Sequence, residues 1–310
     1  MIRCGIAGWV DRELIGSRKF YPPGVSSSEE RLQFYASQFR MVEVDSTYYG
    51  MPTRKTAELW VARTPPGFVF DVKSFSLFTL HPTNPKALPP DIRARLPASL
   101  SEKRNVYLEQ LSAEIVDAAW DAFRDGLEPL RDAGKLGAVF FQLPPWVFPS
   151  THSMAHIEEC QERMRGFPIA VEFRRREWLD ERNAAGTLAF LRALAIPYVA
   201  VDAPQGFENS MPPVCEATSD RLAVVRFHGR NQRDWNVKGA PPSARFRYRY
   251  DDVELAEWVP RIHAMAGQAV EVHAIMNNSL ADAATANARR LEELLGGYSP
   301  PSPGPSDAEG

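Results

Sequence analysis

The sequence predicts a (β/α)8 barrel. Three observations point there: eight short, β-rich apolar runs recur along the 310 residues, helical patterns separate most of them, and the polar residues of the runs sit toward their C-terminal ends. Strands alternating with helices of this length pair in parallel through right-handed crossovers, and eight such units close into a barrel of about 250 residues. An open doubly wound sheet is the rival. It usually carries a G-x-G-x-x-G turn after its first strand, where this chain reads GWVDRELIG.

In chain order, the first run is Ile2–Gly8 and a helix is expected at Ser28–Phe39. In the second run, Met41–Thr47, Glu43, Asp45 and Thr47 share one face and Val42 and Val44 the other; a helix follows over Thr53–Thr64. The third, Phe68–Ser74, sets Asp71 and Lys73 on one face. Its connection, Phe75–Ser112, carries Pro82, Pro85, Pro89, Pro90 and Pro97. So long an irregular stretch is usually functional, and its place after a strand predicts a lid over the C-terminal mouth. A helix at Ala113–Ala133 leads to the fourth run, Leu136–Leu143, with Gln142 opposite Phe141, and then to a helix at Thr151–Arg165. The fifth, Pro168–Phe173, places Glu172 and the following Arg174 opposite Val171 and Phe173, before a helix at Glu181–Ala195.

The sixth run, Pro197–Ala203, sets Asp202 opposite Val201; the connection Pro204–Asp220 has no helical period and reads as irregular. The seventh, Arg221–Gly229, aligns Arg226, His228 and, just beyond, Arg230, and a helix is expected at Asp252–Ala266. The eighth, Ala269–Asn277, ends on Asn277 and precedes a helix at Leu280–Leu295. One domain is expected over residues 1–296, with 75–112 as a lid-like insertion. The Pro/Ser/Gly-rich tail 297–310 is expected to be disordered.

Composition narrows the function. At 44% hydrophobic and 24% charged, the chain can bury a sizeable core. No apolar run approaches the roughly 20 residues that span a bilayer, so no membrane partner is expected. The opening MIRCGIAGWV lacks the pattern of a signal peptide. Cys4, Cys160 and Cys215 are far apart and odd in number, with neither metal-binding spacing nor a disulfide framework. A reducing, cytoplasmic location is expected. A net charge of −3 argues against a dedicated nucleic-acid binder, so any attraction for phosphate is local.

Outward residues of barrel strands are covered by helices, so the polar faces are expected to converge inside the top of the barrel, where this fold builds its active sites. The plain alternative is that the charges pair with one another, Glu172 with Arg226 for example, and plug the barrel. Buried ion pairs are costly and often weakly stabilising, which favours a ligand site. The run from Arg226 to Tyr250 holds seven Arg or Lys and one acid, Asp234, interleaved with Phe227, Trp235, Phe246, Tyr248 and Tyr250. Guanidinium forks suit phosphate or carboxylate, and the rings could stack on a base or sugar. For Arg245–Tyr250 a solvent-edge strand is an equal alternative.

Acid–base chemistry is expected from Glu172, Asp202 and His228. Substrate or anion binding is expected from Lys73, Arg174, Arg226, Arg230, Gln142, Asn277, Trp9 and Tyr48, with His81 in the lid a weaker candidate. Glu43, Asp45, Glu172, Asp202 and His228 could alternatively ligate a divalent ion, though one inward His is few for a metal site. No HExxH, C-x-x-C, GxxxxGK[ST] or G-x-S-x-G motif is present, and no cofactor is specified.

With these residues in hand, the chain resembles the YecE-like family (domain of unknown function 72) from about Ile2 to Leu294. The matching motifs are GIAGW with FYP at Phe20–Pro22, YASQFRMVEVDSTYYGMP, FVFDVKS, LGAVFFQLPP, and VEFR with Trp178. VRFHGR, Tyr248 and Tyr250 with Trp258, and MNN with the later NA at Asn287 complete the set. The resemblance implies a TIM barrel similar to the xylose-isomerase and endonuclease-IV type, and no agreed activity. Asp45 and Arg175 stand where the family more often carries Asn and His.

Three functions are therefore expected. The first is a hydrolase-like enzyme on a small phosphorylated or otherwise anionic substrate. The others are a nucleic-acid-binding or phosphodiester-acting protein using residues 226–250, and a metal-dependent sugar isomerase or lyase.

Overall fold

The computed structural model describes residues 1–297 except 208, 238, 240 and 242. The expected tail lies outside the described residues apart from Gly297. Eight strands alternate with helices as expected: β1 (Ile2–Ile6), β2 (Met41–Val44), β3 (Val69–Lys73), β4 (Leu136–Gln142), β5 (Ile169–Glu172), β6 (Val199–Asp202), β7 (Leu222–Phe227) and β8 (Glu271–Met276). All pair in parallel. The ladders draw two four-stranded sheets, ordered β1-β8-β7-β6 and β2-β3-β4-β5, and neither closes on itself. The expectation of one continuous ring is thus met only in part. Single parallel bridges, Ala7–Glu43 and Val171–Tyr198, stand between β1 and β2 and between β5 and β6. Gly5 belongs to the first seam, where a Cβ would fall 2.6 Å from the Met41 carbonyl oxygen.

The helices are α1 (Arg12–Ser17), α2 (Ser28–Gln38), α3 (Arg54–Ala62), α4 (Pro90–Arg93), α5 (Ala98–Ser101), α6 (Ala113–Asp132), α7 (Thr151–Arg163), α8 (Ala184–Ala193), α9 (Asp252–Ala256), α10 (Val259–Ala266) and α11 (Ala283–Gly296). The expected helix over 252–266 is two pieces. Pro260 lacks an N–H and its ring crowds the carbonyl four residues back, so the turn at Glu257–Trp258 breaks the run. Asp11 starts α1, which the sequence reading missed, by accepting from the Glu13 and Leu14 amides. The described residues of 204–220 hold no helix or strand, as expected. Among the described residues no helix is long and apolar enough to cross a membrane.

The proline-rich stretch is ordered rather than loose. Phe75, Leu77 and Phe78 are buried, and Phe78 stacks on Trp120 of α6 at 3.7 Å. The Phe78 carbonyl meets His156 Nε2 of α7 at 2.9 Å, and Thr83 bridges Val106 in antiparallel fashion.

Strand parity sets the interior. Met41, Val69, Ala138, Phe140, Ala170, Val199, Leu222, Val224 and Ile275 form one buried cluster, separate from the larger apolar core. Two residues further along each strand, the same faces carry Glu43, Asp71, Gln142, Glu172, Arg226 and Asn277, and Lys73 follows Asp71. Val199 gives the inner face of β6 to Val201. Asp202 therefore points outward, against the expectation that it joins the inner set.

Candidate functional site

A cavity of about 660 Å³ opens at the C-terminal ends of the strands. Of the residues expected to bind substrate, Tyr48, Lys73, Gln142, Arg174, Arg226 and Asn277 line it; Trp9 and Arg230 do not. The Trp9 ring packs edge-on against Trp60 and Phe70, in the apolar core. None of Glu172, Asp202 and His228 lines the cavity. Asp45 and His81 do, as do Arg245 and Trp146, which the sequence reading did not select. From the proline-rich stretch only His81 is among the lining residues.

The floor is an interlocked set of charges. Arg226, 2% exposed, donates from Nε to Glu43 Oε2 at 2.9 Å and from Nη2 to Glu43 Oε1 at 2.7 Å. Its Nη1 donates to Glu172 Oε2 and, at 3.3 Å, to Gln142 Oε1. Arg174 brings Nε to 2.5 Å from Glu172 Oε1 and donates from Nη2 to Gln142 Oε1 at 3.0 Å. The plain alternative, charges pairing with one another in the interior, therefore describes Glu43, Glu172 and Arg226. Two guanidinium groups facing Gln142 also fix its amide orientation: neither can accept, so the oxygen faces them. The Gln142 amide nitrogen makes no hydrogen bond among the described residues.

His228 is fully buried between Asn277 Nδ2, 2.8 Å from Nδ1, and two competitors at Nε2: Arg174 Nη2 at 3.0 Å and Glu172 Oε1 at 3.2 Å. Burial, then the Arg174 charge, pulls its pKa down to about 3, so the ring is neutral near pH 7. A protonated Nε2 donates to Glu172, and a bare Nε2 accepts from Arg174. The two carboxylates diverge. Burial pushes Glu43 up to about 7 against the pull of Arg226. Burial acts in the same sense on Glu172, but Arg174, Arg226 and His228 outweigh it and hold the carboxyl well below the usual range.

Asp202 belongs to a different neighbourhood. Its oxygens accept from Tyr250 Oη at 2.7 Å, from Trp258 Nε1 at 2.6 Å and from Arg230 Nη2 at 2.8 Å. Arg230 also reaches Glu257 at 2.8 Å, so its charge is spent outside the mouth. Gly229 makes room for this packing, with φ of +87° and Tyr248 Cβ 2.6 Å from where a Cβ would stand. Of the two readings weighed equally for Arg245–Tyr250, the solvent-edge strand does not form: Ala244–Phe246 make a single 3₁₀ turn, and Arg245 lines the cavity.

The five residues weighed as metal ligands do not gather. A guanidinium stands between Glu43 and Glu172, and Asp202 points the other way. Among the described residues no group of three or more His, Cys, Asp or Glu side chains is arranged to hold a metal ion.

What the cavity offers is unspent positive charge. Lys73 Nζ lies 4.5 Å from the centroid of the Tyr48 ring and, among the described residues, makes no hydrogen bond or ion pair. Arg174 Nη1 and the Arg245 guanidinium are likewise without a hydrogen-bonded partner there. Arg245 rests near the Trp235 and Phe246 rings at 5.8 and 5.9 Å. Below them, Glu43 and Glu172 are matched by Arg226 and Arg174, which leaves Lys73 and Arg245 to face Asp11 and Asp45 across the cavity.

Comparison with known proteins agrees with this frame. The chain is 32% identical to UPF0759 protein YunF of Bacillus subtilis (strain 168) over 298 residues, covering 95% of each chain. It is similar to the crystal structure of a DUF72 family protein from Enterococcus faecalis V583, with 25% identity, a TM-score of 0.78 and 97% of each chain covered. It is also similar to a DUF72 family protein from Thermotoga maritima MSB8, with 25% identity and a TM-score of 0.72, over 96% of this chain and 99% of that one. With residues 3–308 matching the family model described as "Protein of unknown function DUF72", the chain belongs to the DUF72 family.

Proposed function

We propose that the chain is an enzyme that binds a phosphorylated or otherwise anionic small molecule in the mouth cavity and acts on it hydrolytically. One observation carries the reading: Lys73 Nζ, Arg174 Nη1 and the Arg245 guanidinium face one cavity with donors unspent among the described residues, while Glu43 and Glu172 are already matched. Guanidinium groups held in place by a buried floor suit phosphate or carboxylate, because little ordering remains to be done on binding. Proton transfer falls to Asp45 and His81, which line the cavity, rather than to the buried Glu172 and His228. Burial, then Lys73, pulls the His81 pKa down to about 4, so its ring is neutral near pH 7 and accepts a hydrogen bond from an attacking water.

The closed barrel is part of this reading. We take the two sheets as halves of one (β/α)8 ring joined at the Ala7–Glu43 and Val171–Tyr198 bridges, because a ring directs eight strand ends to a common mouth.

The test is calorimetric titration with inorganic phosphate. Saturable binding weakened about tenfold in Arg174→Ala is expected, the value of one charge-assisted hydrogen bond. No saturable heat at low salt would remove the reading. A second reading, an extended nucleic-acid strand, is favoured by two exposed aromatic rings lining the same mouth, Tyr49 (73%) and Trp146 (53%). It requires oligonucleotide affinity that falls steeply with salt, and no gel shift at low salt would exclude it.

A further inference from the structure

We propose that Lys73 is a covalent residue of the cavity: its Nζ condenses with the aldehyde or ketone group of an anionic substrate to form an imine. The inference rests on the anion-binding reading of the mouth and names the substrate class as a phosphorylated or carboxylated carbonyl compound.

The geometry comes first. Lys73 ends β3 on the inner face, so its backbone is held by the sheet rather than by a loop. Its amine faces the cavity above the Tyr48 ring, and no described carboxylate pairs with it. The nearby carboxylates are occupied, Glu43 by Arg226 and Glu172 by Arg174 and Arg226. The buried Lys135 is a contrast. Its ammonium donates to Val61 O at 2.9 Å, Thr64 O at 2.7 Å and Thr64 Oγ1 at 2.9 Å, which uses all three protons in a structural role.

The electrostatics agree. Burial, then the Arg226 charge, pulls the Lys73 pKa down to about 8. The neutral amine is then present in about a tenth of the molecules at pH 7, against fewer than about one in a thousand for an ordinary lysine. Desolvation beside other cations is a known way to make an amine nucleophilic.

The step balances without a redox partner. The ammonium first loses a proton to solvent. The Nζ lone pair then bonds to the carbonyl carbon, and the carbonyl oxygen takes up a proton to give a carbinolamine. In forming it the nitrogen sheds one N–H proton, which restores its lone pair. The carbinolamine hydroxyl takes a second proton from solvent and leaves as water as that lone pair forms the C=N bond, and the resulting iminium N–H returns a proton to solvent to give the imine. Arg174 Nη1, Arg245 and the Gln142 amide would hold the anionic end meanwhile, and the Tyr48 ring face favours a cationic iminium.

The probe is pyridoxal 5′-phosphate, a phosphorylated aldehyde, incubated with the full chain, fixed with borohydride and mapped by peptide mass. Lys73 should be labelled at least about tenfold faster than exposed Lys19, Lys55 and Lys86, because its neutral fraction is so much larger. Inorganic phosphate should slow the labelling. Pyridoxal lacking the phosphate should label Lys73 more slowly than pyridoxal 5′-phosphate does, while the surface lysines react with both alike. Lys73→Arg, which keeps the charge and removes the amine, should abolish the fast phase with an unchanged circular-dichroism spectrum. Labelling of Lys73 at the rate of the surface lysines overturns the inference. Phosphate calorimetry on the same sample separates the two failures: binding without fast labelling removes the imine alone, and neither binding nor labelling removes the anion site as well.

Discussion

Arg226 holds Glu43 by both carboxylate oxygens, at 2.9 and 2.7 Å, across the interior between β7 and β2. With Nη1 on Glu172 of β5, one guanidinium ties three strands together and keeps two carboxylates away from the cavity. The division between a neutralised floor and a wall where Lys73 and Arg245 keep donors open opposite Asp11 and Asp45 follows from this contact.

Removing one partner of a buried charge set strands the others. Glu172→Ala leaves Arg174 and Arg226 short of a carboxylate and should lower the unfolding free energy by about 3–5 kcal/mol in chemical denaturation. A loss under about 1 kcal/mol, the range of an exposed ion pair, would contradict the floor described above.

Glu43 should have a pH signature. A carboxyl whose folded pKa is raised binds its proton more tightly in the native state. Its contribution is therefore fully present below about pH 4.3, the ordinary value, and is lost as pH rises through about 7. Relative to Glu43→Gln, the wild type should lose on the order of 2–3 kcal/mol between pH 4.5 and 7.5. A difference independent of pH would count against the raised pKa.

The opposite end of the interior carries a second signature. Burial opposes charge on His273, but Asp71 at 2.8 Å and Glu271 at 3.3 Å outweigh it and push the pKa up to about 9. The stabilisation is complete below about pH 6.5 and is lost as pH rises through 9. Urea unfolding should show wild type losing ground to His273→Gln across that window, with parallel curves as the contrary result.

Asp202→Asn and Arg245→Ala should behave as opposites. Asp202 ties Tyr250, Trp258 and Arg230 together outside the interior, so its amide variant should lose on the order of 2–4 kcal/mol of stability and keep its phosphate affinity. Arg245, partly exposed and without an ion pair among the described residues, should lose about five- to tenfold in phosphate affinity with stability within about 0.5 kcal/mol. Phosphate calorimetry and thermal melts on both variants check the pair.

Element positions were legible because strand and helix periods alternate cleanly, and parity assigned Glu43, Lys73, Gln142, Glu172, Arg226 and Asn277 to the inner face. Asp202 failed because the rule of polar inside and apolar outside does not hold for β6. Val199 and Val201 face inward there, and the outward carboxylate is satisfied by Tyr250 and Trp258, about fifty residues away in sequence. Trp9 failed for a similar reason: its partners Trp60 and Phe70 come from later elements. Arg245 was hidden because an alternating run of Arg and aromatics reads locally as an edge strand, whereas Gly- and Pro-rich residues before it allow a 3₁₀ turn toward the mouth. Which charges are spent and which remain open depends on contacts among β2, β5 and β7, and no local pattern encodes those.

The most direct measurement is a crystal structure of the protein grown in phosphate. An anion within hydrogen-bond reach of Lys73 Nζ and Arg174 Nη1, above an intact Arg226–Glu43 contact, is the expected result. A mouth with Lys73 Nζ and Arg174 Nη1 turned onto carboxylates, and phosphate found only elsewhere, would contradict the account.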